Sequence, residues 1–267
     1  FKEHQIDAVM HFAASSQVGE SVLQPEKYYS NNFFKTQVLL NIMRQHQVIN
    51  IVFSSTAAVY GSPEQALINE QHPVTPINPY GRSKLAVEWL LQDYASAYGI
   101  KAVCLRYFNA AGAAIDASNG ERHDPETHLI PLVLQALSGR RQGIKIFGTD
   151  YATPDGTCIR DYIHILDLAQ AHLLALNWLF TQESYTYQAF NLGNGVGFSV
   201  RQVITTAKEV TGQQLNEKTS VRRVGDPAIL VASAEQAKKV LGWQPQYTQL
   251  KEIITHAWAW EQKLSSL

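Results

Sequence analysis

The chain has 267 residues, 45% of them hydrophobic and 17% charged, with a formal net charge of −1. That length and balance fit one large globular domain or two unequal ones with a substantial core, and they leave no basic footprint for nucleic acid or an anionic membrane. No apolar run approaches the ~20 residues a membrane span needs, and Cys104 and Cys158 form no C-x-x-C, so neither a disulfide framework nor a zinc motif is suggested. With no leader pattern visible, the protein reads as cytoplasmic. It begins with Phe1 rather than Met, and an apolar run arrives almost at once, so the sequence reads as a fragment.

Asp7 to Ala13 is a short apolar run that suits a buried parallel strand. The small residues that follow it, Ala13, Ala14, Ser15 and Ser16, would let a flat ligand lie close to the backbone, although a plain strand-to-loop transition reads equally well. From Pro25 to about His46 the pattern is helical, with Phe34, Val38, Leu39, Ile42 and Met43 at spacings of three and four. Asn31 and Asn32 are weak helix formers inside it, placed either for a contact or in solvent. Ile51 to Phe53 reads as a second buried strand, and it ends in the hydroxyls of Ser54, Ser55 and Thr56. Residues 62–78 read as loop, rich in Pro, Asn and Gln.

Tyr80 then opens a helix that runs to about Tyr98, with Leu85, Trp89, Leu90 and Tyr94 inward and Gly99 as its stop. Tyr80 and Lys84 stand one turn apart on it. An ammonium beside a phenol favours the phenolate, so the pair could take a proton from a sugar hydroxyl near neutral pH. With 12 Tyr in 267 residues, about one half of a Tyr-x-x-x-Lys pair is expected by chance, so the spacing alone carries little weight. Its plain alternative is a surface lysine at a helix start. Ala102 to Phe108 is a third strand, and the alternation of strands and helices predicts a parallel sheet whose strand ends near Ala13, Thr56 and Asn109 share one edge.

After Gly112 the character changes. Residues 113–128 are polar and turn-forming, Pro131 sits in the first turn of a helix through Leu137, and Ile144 to Gly148 alternates like a strand. Asp161, His164 and Asp167 invite a metal reading, but Asp167 with Gln170 matches an N-cap and its reciprocal partner for a helix over 168–179. Gly193, Gly195 and Gly197 lack the spacing and the trailing acid of a dinucleotide loop; Ser199 with Gln202 reads as a capping box instead. In the run Arg222-Arg223-Val224-Gly225-Asp226 two cations suit a phosphate clamp or simple surface charge. Leu250, Ile253, Ile254, Ala257, Trp258 and Leu264 form an apolar stripe for core packing.

Five blocks in order, HFAASSQVGES (His11–Ser21), FSSTAAVYG (Phe53–Gly61), NPYGRSK (Asn78–Lys84), LRYFNAAG (Leu105–Gly112) and RDYIHILDLAQAH (Arg160–His172), resemble the UDP-glucose 4-epimerase family of the extended short-chain dehydrogenase/reductases. The resemblance implies an α/β fold: a Rossmann-like doubly wound parallel sheet, truncated at its N-terminus, with a smaller mixed α/β substrate domain. Residues 1–112, joined by a returning segment over about 160–195, would hold NAD, and 113–267 the UDP-sugar. It also implies reversible C4 epimerisation through a transient 4-keto sugar. Tyr80 would be the base, Lys84 the residue that holds the nicotinamide ribose and depresses the Tyr80 pKa, and Thr56 the partner of the 4-hydroxyl. Phe12, Ala13, Ala14, Ser15, Ser16, Asn31 and Phe108 fall where the family contacts NAD, together with Thr56, Tyr80 and Lys84. Asn109, His128, Leu129, Lys145, Ile146, Phe147, Arg160, Arg223 and Asp226 fall where it grips the UDP-sugar. No metal is implied; a homodimer is compatible with the resemblance.

The family's glycine-rich segment and ribose-binding acid do not occur in this sequence, so the chain by itself is expected to bind NAD poorly and turn over little. Leu230 falls where pocket size governs N-acetylated substrates, and the choice between UDP-glucose and UDP-N-acetylglucosamine stays open. A nucleotide-sugar 4,6-dehydratase would carry an acid pair directly after the catalytic Ser/Thr, where this chain has Ala57 and Ala58. The other rival is a non-catalytic binding protein of the same fold; intact Thr56, Tyr80 and Lys84 speak against it.

Overall fold

The computed structural model describes residues 1–63, 65, 67–223 and 226–266; Val224 and Gly225 of the arginine run lie outside them. Eleven strands are described: β1 (Ala8–His11), β2 (Asn50–Thr56), β3 (Leu67–Ile68), β4 (Lys101–Tyr107), β5 (Asn109–Ala111), β6 (Ile144–Phe147), β7 (Ile159–His164), β8 (Thr186–Leu192), β9 (Gly197–Ser199), β10 (Glu217–Ser220) and β11 (Ile229–Ala232). The described α-helices are α1 (Val18–Leu23), α2 (Pro25–Tyr28), α3 (Lys35–Gln45), α4 (Pro79–Tyr98), α5 (Leu129–Leu137), α6 (Ile165–Phe180), α7 (Val200–Thr211), α8 (Glu235–Leu241) and α9 (Leu250–Ser265).

β1, β2, β4 and β8 make one parallel sheet in that order. Successive side chains of a strand point to opposite sides, and here each side has its own helices. Ile51 and Phe53 of β2 with Ala102 and Cys104 of β4 pack against Leu40 and Met43 of α3 and Val87 and Leu91 of α4. Val52, Val103 and Leu105 point the other way, into Leu168, Ala171, Ala175 and Leu179 of α6. Helices on both sides of a parallel sheet make this a doubly wound, Rossmann-type arrangement. β1 lies at the sheet's edge, and its residues are half-buried where a buried strand was expected.

The second body combines β3, β11, β7 and β5, with β9 antiparallel to β7, and a separate parallel pair of β6 and β10. Its core gathers Ile130, Val133 and Leu134 of α5, Val203 and Ile204 of α7, and Leu250, Ile253 and Ile254 of α9. Ser199 and Gln202 form the expected capping box on α7.

Three local readings change. Trp89 is 57% exposed, and Phe34 and Val38 are also exposed, so the inner sides are Leu85, Val87, Leu91 and Tyr94 on α4 and Thr36, Leu40 and Met43 on α3. The apolar stripes are wider than the faces the sheet covers. Helix α6 begins at Ile165, not 168: His164 is its N-cap, and its Nδ1 accepts the Leu166 N–H. Asp167 lies inside the first turn and instead accepts the backbone N–H groups of Gln246 and Tyr247. Among the described residues no helix is long and apolar enough to cross a membrane.

Candidate active site at the C-terminal edge of the parallel sheet

The register of the sheet brings the ends of β2 and β4 level: Ser54 lies opposite Leu105 and Thr56 opposite Tyr107. Beyond Thr56 the chain makes a short 3-10 turn over Ala57–Tyr60, and the Thr56 hydroxyl accepts the Ala58 N–H at 3.1 Å. Helix α4 starts against this turn. Its N-cap Asn78 accepts the Gly81 N–H at 2.8 Å and Pro79 occupies the first turn, so the start is fixed by local chemistry. Gly81 permits the approach: a Cβ there would lie 2.5 Å from the Ala58 carbonyl oxygen. The result is that the Thr56 hydroxyl lies beside the Tyr80 phenol, close enough to lower its pKa.

Lys84, one turn further on, is 3% exposed and donates from Nζ to the Ser54 carbonyl at 2.7 Å, with the Phe53 ring 4.7 Å away. Its pKa is lowered to about 8, chiefly because burial disfavours the charged form. Tyr80 is pushed up to about 12 by burial, against the lowering effect of the Thr56 hydroxyl beside it; proximity to Tyr107 adds to the rise. The expectation that Lys84 holds Tyr80 well below the ordinary phenol value is therefore not met in the protein alone. The reason is desolvation: Lys84 is buried, Tyr80 is half-buried among packed groups, and the ammonium is committed to the Ser54 carbonyl.

The residues assigned to the dinucleotide gather around the same edge. Phe12 is 56% exposed, with its ring centroid 4.6 Å from that of His172. Ser15 is tied down by Asn32, whose Oδ1 accepts the Ser15 N–H at 2.8 Å and whose Nδ2 donates to the Ser15 carbonyl and to Ser83 Oγ. Asn31 donates to Ser15 Oγ at 3.2 Å. Both asparagines lie in a π-helical turn over Tyr29–Phe34, a form that recurs at functional sites. Ala13, Ala14 and Ser16 line the same exit from β1 and carry nothing larger than a hydroxymethyl. Phe108 packs with Leu230 on the cluster of Ala57, Val59, Tyr60 and Leu85. An exposed aromatic ring, a run of small residues and a deep lysine fit a flat dinucleotide.

The residues assigned to the sugar nucleotide form two groups. Arg160 pairs with Asp226 at 2.5 Å, and the Arg223 guanidinium lies 4.1 Å from the centre of the Phe147 ring. Arg222 is engaged with Asp150 instead. Lys145 is exposed, whereas the Ile146 side chain is in the core, so only its backbone can meet a ligand. Asn109 donates to the Asp161 carbonyl at 2.9 Å. His128 takes the N-cap position of α5 and its side chain bonds Glu121, which raises its pKa; Leu129 packs beside it on the core of the second body. β11 joins the groups, since Leu230 lies opposite Arg160 in the strand register and also touches the cluster beneath Tyr60.

Sequence reasoning left Asn32 open between a contact and solvent, and it missed the pair of Ser54 and Tyr107, whose side chains hydrogen-bond. Two asparagines in mid-helix were the available signal for the first. Gly193 has a specific role: a Cβ there would lie 2.5 Å from Asp161 Oδ2, and Asp161 accepts the N–H groups of Asn194, Gly195 and Ala232. Those amides are occupied, as suits a glycine run that is not a phosphate loop. Asp161, His164 and Asp167 thus each have separate partners.

Residues 1–256 match the family model described as GDP-mannose 4,6 dehydratase. A UDP-glucose 4-epimerase of Halalkalibacterium halodurans is 52% identical over 263 residues, 98% of this chain and 78% of that protein. A crystal structure of UDP-glucose 4-epimerase from Brucella ovis in complex with NAD is 49% identical, with a TM-score of 0.91 over 94% of this chain and 77% of that one. The Bifidobacterium longum UDP-glucose 4-epimerase in complex with NAD+ and UDP is 38% identical, with a TM-score of 0.92 over 98% of this chain and 78% of that one. Where a dehydratase would need acids, this site has Ala57 and Ala58. The chain belongs to the UDP-glucose 4-epimerase family of extended short-chain dehydrogenase/reductases.

Proposed function

We propose that the protein inverts C4 of a UDP-hexose, interconverting UDP-glucose and UDP-galactose in galactose metabolism, with NAD as cofactor. The Thr56 hydroxyl beside the Tyr80 phenol, with a buried Lys84 amine one turn along the same helix, carries this reading. Residues 1–112, with the returning segment over about 160–195, hold the dinucleotide, and residues 113–267 hold the UDP-sugar. Phe12, Ala13, Ala14, Ser15, Ser16, Asn31, Lys84 and Phe108 would hold NAD, which supplies the acceptor and donor for the C4 hydride. Thr56 orients the sugar 4-hydroxyl, and Tyr80 takes its proton and later returns it. Because burial keeps Tyr80 neutral in the protein alone, a positive charge beside the ring is what makes it a base. Arg160 and Arg223 offer planar guanidinium groups to the pyrophosphate, while Asn109, His128, Leu129, Lys145, Ile146, Phe147 and Asp226 surround the rest of the nucleotide sugar.

The protein works in the cytoplasm as a homodimer, a reading supported by two buried free cysteines and by Phe34, Val38 and Trp89 exposed on the packed pair α3 and α4. Tyr80→Phe tests the mechanism in the protein as encoded. Conversion of UDP-galactose to UDP-glucose should fall by about 10²–10⁴-fold, the usual worth of a general acid–base. Near-normal turnover would remove Tyr80 from the reaction.

A further inference from the structure

Ahead of helix α5 the chain turns four ligating side chains toward one another: Glu121, His123, Glu126 and His128 each bring one donor atom within 4.8 Å of the others. The two imidazole rings stand at 87° with centroids 5.2 Å apart. His123 Nδ1 lies 3.0 Å from Glu121 Oε1 and 3.6 Å from Glu126 Oε2, and His128 Nδ1 bonds the same Glu121 oxygen. Zinc–nitrogen and zinc–oxygen bonds of about 2.0–2.2 Å in a tetrahedron set neighbouring donors roughly 3.3–3.6 Å apart, so the observed spacings bracket what one ion would impose.

The Glu126 carboxylate is an independent pointer. Its side chain is only 4% exposed, so this carboxyl group sits largely out of water. Oε1 accepts the backbone N–H groups of Thr127 and His128, while Oε2 faces His123 across a gap too long for a hydrogen bond. The loop that carries the four is anchored to α9: Trp260 donates its indole N–H to the Glu121 carbonyl at 2.8 Å, and Lys263 donates to the Ala117 carbonyl. Gly120 is pressed on the Trp260 ring, where a Cβ would come within 2.4 Å. A cavity of about 330 Å³, lined by Glu121, His123 and Glu126 on one side and Arg140 and Trp260 on the other, gives an ion a way in.

We propose that Glu121, His123, Glu126 and His128 bind one divalent cation of the zinc class and that the bound ion holds His128 away from the nucleotide sugar, inhibiting the enzyme. Two neutral imidazoles and two carboxylates give an N₂O₂ set that balances the ion's charge and suits zinc or cobalt better than magnesium or calcium. The inhibitory half rests on the placement of His128 at the UDP-sugar; the cation site does not.

Cobalt(II) provides a direct readout. The protein as encoded, freed of metal with a chelator, should take up one equivalent and develop the visible bands of a four-coordinate ion, which zinc then displaces. His123→Ala and Glu126→Gln should each weaken uptake at least tenfold, and His123→Ala should leave metal-free epimerase activity and the thermal midpoint unchanged. Uptake as tight in His123→Ala as in the unaltered protein would overturn the site. Saturating UDP should weaken zinc binding several-fold. Zinc bound at these residues with no response to UDP would overturn the inhibition alone. Absence of epimerase activity in the metal-free protein would strike at the functional reading and leave the cobalt titration to decide the site.

Discussion

Tyr80 and Lys84 stand at a Tyr-x-x-x-Lys spacing, yet spacing is not what makes them candidates for a site. Tyr247 and Lys251 repeat it in this chain, and there the ring packs 4.6 Å from His164 while the lysine is exposed. Tyr80 differs in its surroundings: the Thr56 hydroxyl beside it, Tyr28 edge-on at 6.3 Å, and a buried lysine one turn along the same helix. The residue that sets this arrangement has no side chain. In Gly81→Ala a methyl would lie 2.5 Å from a backbone oxygen, with no flexible group to yield, so α4 must move away from the Ala58 turn. Stability should fall by about 1–3 kcal/mol, the usual cost of overpacking, measured by urea unfolding. Turnover should fall by more than that loss explains, because Tyr80 moves away from Thr56. Unaltered kinetics would show that the site tolerates a displaced helix start.

The elements are held in register by polar groups that local pattern does not reveal. Beneath the strand ends, Arg106 of β4 and Glu88 of α4 form a buried pair at 2.5 Å, with Ser55 of β2, Tyr60 and Tyr187 of β8 on the same network. One network thus fastens three strands to the helix that carries Tyr80. Removing one partner of such a pair leaves a buried charge uncompensated, which costs about 3–5 kcal/mol. Glu88→Ala should show that loss in denaturant unfolding, and adding Arg106→Leu should recover much of it. A double variant less stable than Glu88→Ala would mean that Arg106 contributes mainly through Tyr60. The clip from Asn32 to Ser15 and Ser83 is the same device on the other side of α4.

At the scale of the molecule, the two bodies meet through groups that respond to pH. His164 ends β7, caps α6 and lies 3.0 Å from His256 of α9. Burial, with His256 as a second cause, lowers its pKa to about 4. The unfolded chain binds this proton near pH 6.5 and the folded one only near pH 4, so stability contributed by neutral His164 is present above about pH 6.5 and is lost as the pH falls through that window. At 1.36 kcal/mol per unit the loss is of order 3 kcal/mol. Unfolding measured from pH 7 to pH 4 should show it, with a flatter profile for His164→Gln; equal slopes in the two proteins would assign the acid sensitivity elsewhere, His11 being the next candidate.

The order of strands and helices, the capping box at Ser199 and the stop at Gly99 were legible in the chain, because each depends on residues within a few positions of one another. Thr56, Tyr80 and Lys84 could be proposed as the reacting residues once five motifs stood in sequence. Local period could not show which apolar residues the sheet leaves uncovered, such as Trp89 and Phe34, since amphipathic stripes record composition and not what packs on them. Nor could it show that Asp167 receives Gln246 and Tyr247, some 80 positions away, or that Lys84 is spent on the Ser54 carbonyl. The ionisation of Tyr80 belongs with these. Residue identity supplies the phenol and the amine, but their desolvation follows from burial, and burial exists only once the sheet and α4 have come together.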